Sequence, residues 1–192
     1  MDIFVISHIE NELNGHNKVL KKTTDTLIPV ILQAAELIIE TLEAGGKLLI
    51  LGNGGSAADA QHMAAEFTGR YLKNRQAFRA IALTTDTSAL TAIGNDFGYE
   101  YIFSRQVEAL ANPGDVVLGI STSGKSLNVI KAFDVAKKYG CKIIALTGQD
   151  GSQILEYTDV LINIPDNHTP RIQEMHILVI HILCGIVEDQ IL

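Results

Sequence analysis

Only two cysteines, Cys141 and Cys184, occur in the 192 residues. They stand far apart and form no metal-like or Cys-x-x-Cys spacing, which points to buried free thiols in a reducing compartment rather than to a disulfide framework. Positive charge is equally scarce. Fifteen Lys and Arg stand against 22 Asp and Glu, for a net charge of −7. Such a balance disfavours bulk contact with nucleic acid or an anionic membrane, although local backbone N–H groups still suit a small anionic substrate. The N-terminus shows no basic region followed by a cleavage site, so no secretory signal is expected. The longest apolar run, near Ile177 to Val187, is interrupted by His181 and is too short to span a bilayer. Repeats and low-complexity linkers are absent. A soluble cytoplasmic protein is the expectation.

What is present is enough apolar sequence, 47% of residues, for one folded domain spanning 1–192. Residues 1–45 read as a helical arm and 46–192 as an α/β core with a C-terminal helix. In the arm, apolar spacing at Ile3, Ile6, Ile9 and Leu13 predicts a helix that frays near Asn14-Gly15. A second helix is predicted over 26–44, capped by Asp25 or Thr26, with Pro29 in its first turn and Gly45-Gly46 at its end. From Lys47 onward, short apolar β-rich runs alternate with helical patterns. Strands are predicted at Lys47–Gly52, Arg79–Thr84, Asp115–Ser121, Cys141–Thr147 and Val160–Pro165. Helices are predicted at 56–69, 87–110 (broken near Gly94), 126–139, 150–157 and 170–192. This alternation implies right-handed crossovers and a three-layer sandwich around a five-stranded parallel sheet. The nearly all-apolar helices flanking the sandwich argue for a homo-oligomer.

Two strand-to-helix loops carry chemistry. The first is Gly52-Asn53-Gly54-Gly55-Ser56, whose glycines permit close backbone approach but which lacks the Gly-Lys-Ser/Thr ending of a P-loop. The second is Ser121-Thr122-Ser123-Gly124-Lys125-Ser126. Four hydroxyls at a helix N-terminus exceed what an N-cap needs and make a cradle for a phosphate dianion. Lys125 either joins that cradle or faces solvent. Within the helix after the first loop, His62 and Glu66 stand at i and i+4 and share a face. Imidazole plus carboxylate suits Zn²⁺, yet the spacing alone equally describes an ordinary surface pair.

Together the two loops resemble the SIS (sugar isomerase) family, whose sheet is flavodoxin-like. Gln61-His62-Met63-Ala64-Ala65-Glu66, Gly94-Asn95-Asp96-Phe97-Gly98 and Arg171-Ile172-Gln173-Glu174-Met175-His176 narrow the resemblance to its phosphoheptose isomerase branch, over nearly the whole chain. The resemblance implies aldose–ketose isomerisation of sedoheptulose 7-phosphate and a homotetramer. It implies one Zn²⁺ per subunit, held by residues matching His62, Glu66, Gln173 and His181, with Glu66 and His181 as the acid/base pair. Ser121, Thr122, Ser123 and Ser126 would hold the phosphate. Asn53, Gly54, Gly55, Asn95, Asp96 and Gln173 would face the sugar. Gln173 and His181 lie eight residues apart, about 12 Å of rise on a straight helix. Either that helix starts late or the ligands converge from different subunits. His176 competes as a ligand but reads better as a packed or supporting residue. His8, His16 and His168 read as surface residues. Three other readings stand beside the isomerase. One is a non-catalytic SIS protein that binds the replication initiator, from which Glu66 and His181 argue away. Another is a sugar-phosphate-sensing module, for whose usual partner domain this chain has no segment. The third is an isomerase of another sugar phosphate.

Overall fold

Alternating apolar residues on the strands place two separate cores on the two faces of one sheet. The computed structural model describes residues 3–191. The strands are β1 (Leu48–Gly52), β2 (Ala80–Ala82), β3 (Val116–Ser121), β4 (Lys142–Gly148) and β5 (Val160–Ile164). They pair in parallel in the order β2-β1-β3-β4-β5. Leu48, Ile50, Val116, Leu118 and Ile120 face one core, which is closed by α1 (Ile3–Glu43), α2 (Gly55–Thr68) and α6 (Thr169–Gln190). Leu49, Leu51 and Val117 face the other, closed by α4 (Ser104–Leu110) and α5 (Leu127–Lys138), with α3 (Thr87–Asp96) at its rim. All residues of β1 and β3 are buried, as for central parallel strands covered on both faces. The expected three-layer α/β sandwich is therefore the observed one.

Several boundaries depart from expectation. The N-terminal arm is one unbroken 41-residue helix rather than two, with Pro29 inside it. No cap forms at Asp25 or Thr26, because the hydroxyls of Thr24 and Thr26 donate instead to the carbonyls of Leu20 and Lys22, one turn back. The segment 87–110 breaks not at Gly94 but at Gly98, whose φ of +103° suits glycine. A short 3₁₀ turn, Tyr99–Tyr101, follows. Residues Gly151–Tyr157 also form 3₁₀ rather than α-helix. Both cysteines are free and buried. Burial pushes the Cys141 thiol up to about 11 and the Cys184 thiol up to about 12. Helix α6 has the length and composition to cross a membrane, with mean hydropathy 1.3, but half of that stretch is buried inside the fold. Its polar residues Arg171, His176 and Glu188 are buried there too, which makes it a core helix.

Candidate active site

The strand order reverses direction between β1 and β3, and ligands of open parallel sheets bind beyond the strand ends at that point. Both chemically unusual loops lie there, one after β1 and one after β3. In the second, the Ser121 and Ser126 hydroxyls lie 2.9 Å apart. Ser126 occupies the N-cap position of α5 but makes no side-chain cap bond. Its hydroxyl thus faces the loop rather than its own helix, as a phosphate cradle requires and a plain cap does not. A cavity of about 150 Å³ opens beside it, lined by Thr122, Ser123, Lys125, Asp150, Asn167, Thr169 and Ile172. Thr169 is the first residue of α6, so the N-termini of α5 and α6 both border this space. The sequence reading missed Asn167 and Thr169, because the loop before α6 carries no glycine or hydroxyl cluster.

The first loop is braced from outside. Asn53 exchanges two amide hydrogen bonds with buried Asn128, at 2.9 and 2.8 Å, and accepts a third from the Tyr99 hydroxyl at 2.9 Å. Its side chain is thereby committed to joining the two loops, which leaves its backbone for sugar contacts. Gly54 has φ +57°, and a Cβ on Gly55 would stand 2.6 Å from Nε2 of Gln173. Gln173 therefore lies directly on the Gly-rich turn. Asn95 and Asp96 end α3, exposed, with the Asn95 amide donating to Asp96 at 2.8 Å.

His62, Glu66 and His181 come together in one chain. The Nε2 atoms of His62 and His181 are 2.9 Å apart, and Oε1 of Glu66 is 3.4 Å from Nε2 of His62. Gln173 stays at Gly55, so the chain gathers three of the four residues expected to share a metal. Helix α6 does not start late at Gln173 but runs unbroken from Thr169. Among the described residues, no three His, Cys, Asp or Glu side chains are arranged to hold a metal ion as they stand. The two imidazoles with an adjoining carboxylate nonetheless fit an ion chemically. Donors about 2.05 Å from a tetrahedral Zn²⁺ stand about 3.3 Å from one another; the 3.4 Å between Glu66 and His62 matches this, while the 2.9 Å between the two imidazoles is a hydrogen-bond distance that would have to open for an ion. Asp59, one turn before His62, has its carboxyl raised above the usual range by burial, against the pull of His62.

Other histidines separate by environment. His176 is fully buried, with Nε2 3.2 Å from the Thr147 carbonyl; burial lowers it to about 4, so its ring stays neutral. His8 and His168 are exposed. His16 is not a free surface residue, since Nδ1 meets Glu174 at 2.9 Å. The sequence reading passed over Tyr71, whose ring stacks on His181 with centroids 5.9 Å apart, and Arg75 and Glu188, which fix the loop that carries Tyr71.

Comparison with known proteins agrees with this geometry. A family model for the SIS domain matches residues 13–148. The chain is 57% identical to phosphoheptose isomerase of Helicobacter hepaticus over 182 residues, covering 95% of this chain and 92% of the relative. It superposes on the phosphoheptose isomerase structure from Neisseria gonorrhoeae with TM-score 0.92 at 47% identity, covering 96% and 99% of the two chains. The corresponding structure from Francisella tularensis gives 0.94 at 36% identity, covering 97% and 99%. With the family model, full-length relatives and solved structures in accord, the chain belongs to the SIS domain family and, within it, to the phosphoheptose isomerases.

Proposed function

We propose that this protein converts the ketose sedoheptulose 7-phosphate to the aldose D-glycero-D-manno-heptose 7-phosphate, the first step of ADP-heptose formation. The observation that carries the reading is the meeting of Glu66 and His181 at one atom, Nε2 of His62. The hydroxyls of Ser121, Thr122, Ser123 and Ser126, with the α5 N-terminus, hold the phosphate, and this remote binding positions the reacting carbons. Gly54, Gly55, Asn95, Asp96 and Gln173 orient the sugar hydroxyls, with Asn53 acting through its backbone.

Isomerisation removes a proton from C1, passes through an enediol and returns a proton at C2, while the C1 and C2 oxygens exchange the other proton. Glu66 and His181 divide these transfers. His62, Glu66 and His181 would hold one Zn²⁺ per subunit, with Gln173 as the expected fourth ligand only if it left its place at Gly55, and a bound ion would supply Lewis-acid stabilisation of the charge developing on those oxygens. The protein acts in the cytoplasm as a homotetramer. Its exposed N-terminal apolar residues and its half-open His62–Glu66–His181 group both favour completion by neighbouring subunits. Incubation with sedoheptulose 7-phosphate, with and without added zinc, tests the proposal: an aldose heptose phosphate must form. An inert protein, or one that isomerises only pentose or hexose phosphates, would remove it.

A further inference from the structure

The torsion that turns a histidine ring is broad and roughly two-fold, so a helix alone does not fix where an imidazole points. The neighbours of His181 must do so. A densely bonded buried carboxylate lies two turns beyond it on α6. Glu188, 1% exposed, accepts from the backbone N–H groups of Tyr71, Leu72 and Lys73 at 3.0, 2.7 and 2.7 Å, and from Nε of Arg75 at 3.0 Å. Burial would raise its carboxyl; the three amides and Arg75 outweigh that and hold it below its ordinary value. Arg75, whose side chain is 2% exposed, donates its remaining N–H groups to the carbonyls of Glu66, Phe67 and Gln76 and lies 3.9 Å over the Phe78 ring.

A buried ion pair is poor evidence of net stabilisation, because desolvation offsets attraction; what it fixes well is geometry. Here it joins three pieces. Arg75 grips the end of α2 through the carbonyl of Glu66 itself. Glu188 grips α6. Between them, the loop after α2 is held by three consecutive amides. The side chain delivered by that loop is Tyr71. Its ring lies on His181 with an interplanar angle of 26°, and rests on Gly185, where a Cβ would come within 3.4 Å of it. The same His181 ring meets His62 edge-on at 71°. One face of the imidazole is thus covered while its Nε2 points at His62.

We infer that Tyr71, locked in place by the buried Glu188–Arg75 pair, is a positioning residue that aims the His181 imidazole at His62 and Glu66. The turnover arm of its test rests on the isomerase reading; the spectroscopic arm does not. Tyr71→Phe keeps the ring and is expected to stay within about 2-fold of the parent in kcat and KM. Tyr71→Ala and Tyr71→Leu remove the flat ring, Leu retaining apolar cover over the core should Ala destabilise the fold. Both are expected to lower kcat by about 10- to 100-fold, with KM and inorganic phosphate binding within about 2-fold, the pattern of lost orientation. In metal-free protein labelled with ¹⁵N-histidine, the His181 ring signals (assigned through His181→Gln) should move in the Ala and Leu variants and stay in Phe. Unchanged His181 signals and unchanged kcat in Tyr71→Leu would overturn the inference. So would a loss of phosphate binding in parallel with kcat, which marks general unfolding. An inactive parent whose His181 signals still respond to Tyr71→Leu would sink the isomerase reading and leave the positioning role intact.

Discussion

His62 and His181 meet Nε2 to Nε2 at 2.9 Å although 119 residues separate them in the chain. The contact follows from topology. Helices α2 and α6 pack on the same face of the sheet, and Gln173 touches Gly55 as His181 touches His62, so the two helices run side by side in one direction. Two facing imidazole nitrogens beside a carboxylate share a hydrogen bond that a bound cation would replace. Dialysis against a chelator should remove bound zinc and activity together, and zinc should restore both. His62→Gln is expected to weaken zinc retention by at least about 10-fold, since even supporting residues of metal sites cost that much. Metal content measured after equilibrium dialysis decides the point. Equal zinc in parent and variant would show that His62 is no ligand.

Glu66 lies one turn beyond His62 with its side chain 21% exposed, and its backbone carbonyl is fixed by Arg75. Glu66→Gln preserves size and removes the base. Turnover is expected to fall by about 10² to 10⁴, the usual contribution of a positioned acid/base group. Inorganic phosphate binding, measured by calorimetry, should remain near the parent value, because the Ser121–Ser126 cradle lies on another loop. Retained turnover would end the assignment of Glu66.

Much of this was legible in the sequence. The alternation of short apolar strands with helical patterns is enough to give the parallel sheet, and four hydroxyls between β3 and α5 single out the loop that borders the cavity. Other features depended on tertiary contacts that no local pattern encodes. The arm reads as two helices because Asp25, Thr26 and Pro29 look like a start signal, yet the threonine hydroxyls bond one turn back and the core at Leu27, Ile31 and Ala34 carries the helix through. Asn53 looked like a sugar ligand, and its commitment to Asn128 and Tyr99 is a long-range pairing. Tyr71, Arg75 and Glu188 sit in stretches with no motif, and only the packing of α6 against the loop after α2 joins them.

His176 is expected to make the fold sensitive to acid. Its ring is buried and neutral, lowered to about 4 from an ordinary value of 6.5. The unfolded chain therefore binds a proton that the folded chain refuses, and this refusal lowers stability as pH falls from about 6.5 to about 4. Its full stabilising state lies above that window. A shift of this size corresponds to about 3 kcal/mol. In His176→Gln, which retains a donor for the Thr147 carbonyl, denaturant midpoints should lose much of their slope across that window. A variant whose stability falls as steeply as the parent's would assign the acid sensitivity elsewhere.

The first turns of α1 carry apolar side chains with nothing to cover them. Ile3 and Phe4 are each 81% exposed, and Ile6, Ile9 and Leu13 form a stripe at helical spacing along the same stretch. Docking to the body begins only at Glu12, whose carboxylate and carbonyl meet Arg171, and at His16, which meets Glu174. A helical segment without tertiary cover is marginal in water, and each buried aliphatic side chain contributes about 1.5–3 kcal/mol. Burial of this stripe against a second copy would supply what the single chain lacks. Ile6→Glu combined with Ile9→Glu places two charges in the contact and is expected to shift sedimentation from a tetramer to a smaller species, with the thermal midpoint of the α/β body little changed. Activity should fall with the assembly if neighbouring subunits complete the His62–Glu66–His181 site. A tetramer that persists in the double variant would locate the subunit contact away from the arm.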